Sequence, residues 1–360
     1  MKEKIIDYLL ENADPSIVLR IKREILNNLS PSEENDLIEK IISQKNIQTI
    51  LQAQKPDGWI GNYFHGQSVS EGAGMYDNME VGLRFLAEKG FPPENEYIYK
   101  AVKSFLLEEP AYHPNIKPPP KAPESDYAYT ALGMYLMRSS VIIRAGYEYL
   151  LPKNEFINLS YDIDFSFNTF TNVLNHADLD DVIDYSKRKL FFKQGTQWPC
   201  SYDLRNLAHS RGWRNAKNQS LLANSLNKLF SLPHDRETHV YTYIKERFIS
   251  PAQAFFHSGI YNLGLMEEDY INFDLLELFA RCGVMHQVDF LKNKYEYMLS
   301  QINADLTINY KMPSKERNWG PYGGFALEED WRTKTKKQCD FLFRVLIVMH
   351  YVVCCSLENR

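Results

Sequence analysis

Apolar residues recur along this chain at the spacing of an α-helix. One helix face is formed by Ile98, Ala101, Val102, Phe105 and Leu106. Their i, i+3, i+4, i+7, i+8 pattern is the signature of an amphipathic helix, and it recurs in several other segments. The stretch 342–353 is apolar enough to be a helix buried nearly all round, whereas the best alternating run, at 241–244, is short. The sequence therefore predicts an almost all-α chain.

Prolines and glycines divide the chain into segments of helical-hairpin size. A chain of 360 residues, 44% of them apolar, can form two ordinary domains or one large one. The Pro-rich segment Pro110–Pro123 predicts an extended surface loop. Because the helical pattern has the same character on both sides of it, we expect one architecture of roughly a dozen helices. We predict an N-terminal helical extension at 1–44 and one helical domain at 45–360.

Charge and cysteine usage exclude several classes of protein. A formal net charge of −5 leaves no basic excess for neutralising phosphates, which argues against a nucleic-acid binder. Aromatic residues make up 13% of the chain, more than a disordered protein carries. The 5 cysteines include no Cys-x-x-Cys pair, a usage typical of buried thiols in a reducing compartment. We expect a cytoplasmic protein without a signal peptide or transmembrane segment, since the most apolar run, 345–355, is too short to span a bilayer.

A Gly- and Trp-containing turn follows one of the predicted helices. It covers Gln54–Gly61 and reads QKPDGWIG. Fainter echoes occur at Gln197-Trp198-Pro199 and at Asn318–Phe325, each near a predicted helix boundary. Self-similarity of this kind indicates stacked helical hairpins.

The segment Ile50–Gly61, reading ILQAQKPDGWIG, resembles the Q-x-x-D-G-x-W repeat of the prenyltransferase and squalene-hopene cyclase superfamily. The likeness continues through Met79–Gly90 and Tyr97–Leu107. It implies an α/α toroid, in which two rings of helices surround an aromatic-lined cavity and the repeat's Gln, Asp and Trp tie helix ends together. The Asp-x-Cys and Cys-His-Gly zinc signatures of related families are missing, so we predict no metal site and no cofactor, while Mg and Zn stay open.

An acidic motif suggests a reaction. Asp178-Leu179-Asp180-Asp181 matches the Asp-x-Asp-Asp motif of class II terpene cyclases, whose middle Asp protonates an alkene or epoxide. Clustered carboxylates suit this chemistry because like charges at close range raise one pKa. Alternatively, these residues begin a helix that runs to Lys189, where acidic side chains match the helix dipole.

A second group of reactive side chains follows in the sequence. His65, in a Gly-rich segment with Asp77, is a candidate acid/base or metal ligand, the alternative being a polar rim residue. Farther along, Tyr202, Arg205 and His209 fall on one face of a predicted helix. There a cationic side chain would suit a diphosphate group, and the aromatic rings beside it would stabilise a carbocation. The alternative is a hydrogen-bonded structural cluster. The predicted substrate-binding set is Trp59, Asp77, Trp198, Tyr202, Arg205, His209 and Trp213.

Two further groups receive structural interpretations. His350 and Cys354, at i, i+4, are expected in the core, and Arg332, Lys334, Lys336 and Lys337 are expected to form a solvated basic patch.

These features favour a toroid enzyme acting on an isoprenoid or other hydrophobic substrate by acid-initiated cyclisation. A non-catalytic toroid that binds a ligand or partner, and a polysaccharide-processing α/α barrel, remain alternatives. The expected partner is a hydrophobic small molecule, and assembly into a homo-oligomer stays open.

Overall fold

The computed structural model describes residues 1–61, 78–107, 136–151, 163–178, 181–184, 190–193, 198–232, 240–244, 247–249, 264–315, 319 and 324–357. Within these ranges the chain is mostly helical, as the sequence predicts. The loop predicted at 110–123 lies outside them.

The helices vary from six to 24 residues in length. In chain order they are α1 (Lys2–Asn12), α2 (Pro15–Arg20, continued by a π-helical turn at Ile21–Ile25), α3 (Pro31–Ile42), α4 (Lys45–Ala53), α5 (Met79–Glu88), α6 (Glu96–Leu107), α7 (136–144), α8 (Ile163–Asn172), α9 (Ser201–His209), α10 (Ala216–Ser231), α11 (Phe273–Arg281), α12 (Asp289–Ser300) and α13 (Lys334–Leu357).

The chain divides into two compact units, Met1–Glu108 with Tyr295–Cys354, and Glu109–Lys294 with Cys355–Arg360. In the first unit α2 packs against α3, and α5 against α6. In the second unit α9 packs against both α8 and α11, and α10 packs against α8. Residues 1–44 share a unit with the segment that follows them, and the predicted domain bounds stay a prediction.

Side-chain caps fix the first turn of several helices. Asn78, Asn215 and Asn272 precede α5, α10 and α11, and each side-chain oxygen accepts a hydrogen bond from the backbone N–H three residues later. This bond satisfies one of the donors that a helix leaves free at its N-terminus. An asparagine at the N-cap is therefore the local signal that these three helix starts share.

Four short strands in the second unit form a small sheet. They are β1 (Ile183–Asp184), β2 (Leu190–Phe192), β3 (Val240–Ile244) and β4 (Arg247–Ile249), in the order β1-β2-β3-β4. β2 and β3 are parallel, with Leu190 opposite Val240, and the two outer pairs are antiparallel. The alternating run at 241–244 is thus a strand. The sequence also allowed a helix that begins near the acidic motif and runs to Lys189. That alternative is wrong at Ile183–Asp184, because these residues form a strand that pairs with β2.

Helix α13 is the apolar C-terminal helix that the sequence predicts. Its side chains from Phe341 to Val348 are buried, including the charged Arg344. The window Lys334–Cys355 is long and apolar enough to cross a membrane, but 67% of it is buried inside the protein. A buried core helix passes the same test of length and composition.

The Trp-containing turn after α4 is held by its own backbone and side chains. Gly58 has a φ of +97°, and the Oδ1 atom of Asp57 accepts a hydrogen bond from the Trp59 N–H at 2.9 Å. The Gln54 amide donates to the carbonyl oxygens of Gly58 (3.0 Å) and Tyr97 (2.9 Å), which joins the turn to the start of α6. Three backbone bonds close it: Lys55 N to Trp59 O, Gly58 N to Lys55 O, and Gly61 N to Ala53 O.

The same turn occurs again after α12, where the sequence shows no Gly-Trp motif. Leu306 has a φ of +69°, and the Oδ1 atom of Asp305 accepts from the Thr307 N–H at 3.0 Å. Its three closing bonds match those of the first turn one for one: Asn303 N to Thr307 O, Leu306 N to Asn303 O, and Asn309 N to Gln301 O. The repeated unit is therefore a helix followed by this turn, as expected for stacked helical hairpins. The echoes proposed at Gln197 and Asn318 begin on residues outside the described ranges.

Candidate functional site

The structure describes part of the predicted acidic motif. Asp178 and Asp181 are exposed, and the Oδ2 atom of Asp181 accepts a hydrogen bond from the Ala177 N–H at 2.6 Å. Asp180, the proposed proton donor, lies outside the described residues, as do His65 and Asp77. The catalytic assignments of these residues stay predictions.

Trp59 belongs to the turn after α4 and is buried. Its ring meets that of Phe105 edge to face, with 5.9 Å between the ring centroids. In this position the indole packs the turn against α6. This contact accounts for Trp59 structurally, and its predicted role in substrate binding remains untested.

Helix α9 carries the densest group of predicted site residues, and it is buried on all sides. Every residue from Ser201 to Ala208 is buried, with Tyr202 1% and Arg205 4% exposed. His209, at the last position, is half-buried. Leu204 and Leu207 are buried as completely as Tyr202, so the polar face predicted from the spacing is not distinguished by exposure.

The Arg205 guanidinium is engaged by a carboxylate on the neighbouring helix. Its NH1 donates to the Oδ1 atom of Asp274 at 3.0 Å, and its NH2 donates to Oδ2. Asp274 lies in the first turn of α11. A two-point pair of this kind neutralises the buried cation. The arrangement thus gives no support to the expected diphosphate contact by Arg205.

Trp213 and Trp198 flank α9 at its two ends, and both are buried. The Trp213 indole N–H donates to the carbonyl oxygen of Leu207 at 2.8 Å, in the last turn of the helix, where carbonyls lack helical partners. The Trp198 ring lies 6.1 Å from the ring of His176, between centroids. The Trp213 indole therefore caps the C-terminal end of α9, whereas Trp198 packs on His176 ahead of the N-terminal end.

The sequence did not single out a buried carboxyl group on α9. Asp203, 1% exposed, accepts hydrogen bonds from the Cys200 N–H (3.0 Å, to Oδ2) and from the Ser166 hydroxyl (3.0 Å, to Oδ1). Burial raises the pKa of Asp203 to about 7, although these two hydrogen bonds oppose the rise. Its side chain is therefore partly protonated near neutral pH.

A chain of amides and hydroxyls supports Asp203 from three helices. The Asn206 amide donates to the hydroxyls of Ser166 on α8 (3.0 Å) and Ser139 on α7 (3.2 Å). The Ser139 hydroxyl donates to the Leu136 carbonyl oxygen at 3.0 Å. Asp203 lies three residues after the N-cap Cys200 and accepts a hydrogen bond from its backbone N–H as in a capping box, but Cys and Asp are not the residues that mark this motif in a sequence. Its contact with Ser166 depends on tertiary packing, which sequence spacing does not report.

Other chemistry-bearing groups lie apart from this cluster. Cys354 Sγ is 3.6 Å from His350 Nε2, and both side chains are half-buried, so the prediction of a core location for this pair is wrong. In the described part of the chain, no group of three or more His, Cys, Asp or Glu side chains is arranged to hold a metal ion.

Comparison of the chain with protein-family models, with curated proteins and with solved structures finds no match. Among the side chains of the predicted site region, Asp203 is the buried carboxyl group whose pKa is raised to about 7, a property that active-site acids often have.

Proposed function

We propose that this protein is an acid–base enzyme with a toroid-type helical repeat, that it acts on an isoprenoid or other hydrophobic substrate, and that Asp203 donates the proton. The observation that carries the proposal is the buried Asp203 carboxyl, which is partly protonated near pH 7. A general acid works best when its pKa lies near the working pH.

The hydrogen bonds around Asp203 suit the conjugate base of such an acid. When the carboxyl proton moves to a substrate alkene carbon or epoxide oxygen, a carboxylate remains on Asp203. The Cys200 N–H and the Ser166 hydroxyl already point at its two oxygens, so the new charge meets two donors without rearrangement. Burial also keeps water away, which would otherwise trap a carbocation early.

The surroundings of α9 favour an uncharged substrate. Trp198, Tyr202 and Trp213 supply buried aromatic surface beside Asp203 in the sequence, and aromatic faces stabilise cations. The nearest candidate for holding an anionic group, Arg205, is occupied by Asp274. We therefore favour a hydrocarbon or epoxide over a diphosphate ester.

The toroid part of the proposal is supported by the turn that occurs after both α4 and α12. In the resembling superfamily, the Gln, Asp and Trp of the repeat tie helix ends together. Here Gln54 joins its turn to α6, Asp57 closes the turn, and Trp59 packs on Phe105. These contacts fit the role that the resemblance implies.

Incubation with polyprenyl alkenes and their epoxides, followed by mass spectrometric detection of cyclised products, tests the proposal. We expect product from the parent, loss of at least 100-fold in rate with Asp203→Asn, which is about what a general acid contributes, and little change with the control Asp289→Asn. Asp289 is exposed on α12, and Asn at position 203 can still accept from Cys200 N–H.

Parent-like activity of Asp203→Asn would refute the assignment of the acid, and loss of activity in a parallel Asp180→Asn variant would return that role to the acidic motif. The absence of product from the parent with every substrate refutes the isoprenoid proposal. Circular dichroism checks that each variant is folded.

A further inference from the structure

A buried group of charged side chains in the first unit joins segments far apart in sequence. Glu328 Oε1 accepts a hydrogen bond from the Asp14 N–H at 3.0 Å, and Asp14 Oδ2 accepts from the Glu329 N–H at 2.6 Å. Lys336 Nζ lies 2.5 Å from Asp14 Oδ1 and 3.0 Å from Glu328 Oε2. These reciprocal contacts attach the α1–α2 connection to the start of α13.

Asp340 and Lys89 complete the group, which we call the junction cluster: Asp14, Lys89, Glu328, Lys336 and Asp340. Asp340 accepts hydrogen bonds from the Leu327 N–H (2.6 Å) and from the Trp331 indole N–H (2.6 Å). Lys89 Nζ, at the end of α5, donates to the Leu327 carbonyl oxygen at 2.6 Å. Lys89, Glu328 and Asp340 are 0% exposed. Lys336 and Lys337 are half-buried, so of the predicted solvated basic patch only Arg332 and Lys334 are exposed.

The junction cluster balances its charge only if one carboxyl group keeps its proton. It holds three carboxyl groups and two ammonium groups, so full ionisation would bury an excess negative charge. Burial, with Asp340 and Asp14 nearby, raises the pKa of Glu328 to about 9, whereas burial raises the pKa of Asp340 only to about 6. For Asp14, burial raises the pKa, but hydrogen bonds from Lys336 and the Glu329 N–H outweigh it and the net shift is downward. Of the three carboxyl groups, Glu328 therefore has the environment that most favours the protonated form at neutral pH.

The surrounding charged groups supply only part of the missing positive charge. Arg344 acts electrostatically on Asp340 and opposes the rise of its pKa by burial, but it also lies 3.4 Å from Glu88 in an ion pair, so its charge is shared. Burial lowers the pKa of Lys89 to about 8, so this ammonium becomes less available in alkaline solution. The other titratable groups that face the cluster are Tyr8, Glu329 and Cys339.

We propose that the junction cluster is a pH-dependent latch, which holds the α1–α2 connection to the start of α13 while Glu328 is protonated and loosens as the pH rises through neutrality. In the opened state Glu328 is solvated and ionised. The closed state keeps its proton, so opening releases one proton and is favoured by higher pH.

The sign and range follow from the individual groups. The pKa of Glu328 in the closed state is above its ordinary value of 4.5, so its contribution to closing is complete below that value and is lost progressively up to about pH 9. Lys89 has a lowered pKa and acts in the opposite direction, but only above about pH 8. Between pH 6 and 8 Glu328 therefore dominates, and opening should increase up to about tenfold per pH unit.

Amide hydrogen exchange measured by mass spectrometry, corrected for the intrinsic pH dependence of exchange, tests the latch. We expect protection of peptides covering residues 2–14 to fall by up to about tenfold per pH unit between pH 6 and 8 in the parent. Glu328→Gln, whose amide stays neutral, should remove that slope. Glu329→Gln is the matched control, because Glu329 is the exposed neighbour, and it should keep the slope.

Three results would overturn the latch. The first is a parent protein whose protection at residues 2–14 does not change with pH, a measurement that needs no variant. The second is an equal loss of protection in helix Ala216–Ser231, which would indicate global unfolding. The third is a folded Glu328→Gln protein that keeps the parental slope.

Discussion

Gly58→Ala should be strongly destabilising, for two independent reasons. A Cβ atom at this position would lie 2.1 Å from the Lys100 carbonyl oxygen and 2.5 Å from its carbon, both in the backbone of α6. Because a helix backbone cannot move away as a flexible side chain would, the turn or α6 must shift. The φ of +97° adds a second cost, since an L-residue with a Cβ is strained there.

The expected magnitude can be worked from these two costs. The backbone conformation costs about 1–2 kcal/mol for a residue other than glycine. Forcing extra volume into a packed contact costs about 1–3 kcal/mol. Together they predict a loss of about 2–5 kcal/mol in the free energy of unfolding of the first unit.

Urea unfolding followed by circular dichroism measures this loss, with Gly212→Ala as the matched control. A Cβ on Gly212 meets no atom within 4 Å. That variant should be neutral or gain up to about 1 kcal/mol from a less flexible unfolded chain. If Gly58→Ala costs less than about 1 kcal/mol, or no more than Gly212→Ala, the tight approach of the turn to α6 is refuted.

Two further predictions concern the α9 cluster. Because the pKa of Asp203 is raised from 3.8 to about 7 in the folded protein, the parent should lose stability as the pH rises from about 4 to about 7. The difference between the melting temperatures at pH 5 and pH 8 should be smaller for Asp203→Asn than for the parent. An equal difference in the two proteins would contradict the raised pKa. Asp274→Ala leaves the buried Arg205 charge without this partner and should lower the free energy of unfolding in urea by about 3–5 kcal/mol. The double variant Arg205→Met/Asp274→Leu should recover most of that loss. Equal losses in the single and the double variant would show that the ion pair is not the cause.

The helices were predictable because the spacing of their apolar residues follows directly from the burial of one helix face. The sheet was harder, since its strands are two to five residues long and three of them carry no clear alternation. Ile183 and Asp184 illustrate the difficulty. Acidic residues ahead of a basic run match a helix dipole, but pairing with β2 decides the local conformation.

In the candidate site, too, the sequence predicted the local structure but not the contacts between residues far apart in the chain. Spacing correctly placed Tyr202, Arg205 and His209 on one helix, yet it could not reveal that Asp274, 69 residues away, engages Arg205. Asp203 was overlooked because an acidic residue in the first turn of a helix is ordinary in sequence. Burial against Ser166 on α8 changes its chemistry, and burial of that kind is a property of the packed fold.

The two related turns show why glycine and tryptophan are poor markers of this turn in the sequence. Asp57 and Asp305 make the same contact: each side chain accepts a hydrogen bond from the backbone N–H two residues later. This bond stabilises the positive φ of the intervening residue. Glycine is needed after Asp57 because the α6 backbone is close, whereas Leu306 tolerates its φ of +69°. Tryptophan is needed only where Phe105 offers a ring to pack against. The Asp and the backbone bonds thus define the turn, and the residues most visible in the sequence reflect what each copy packs on.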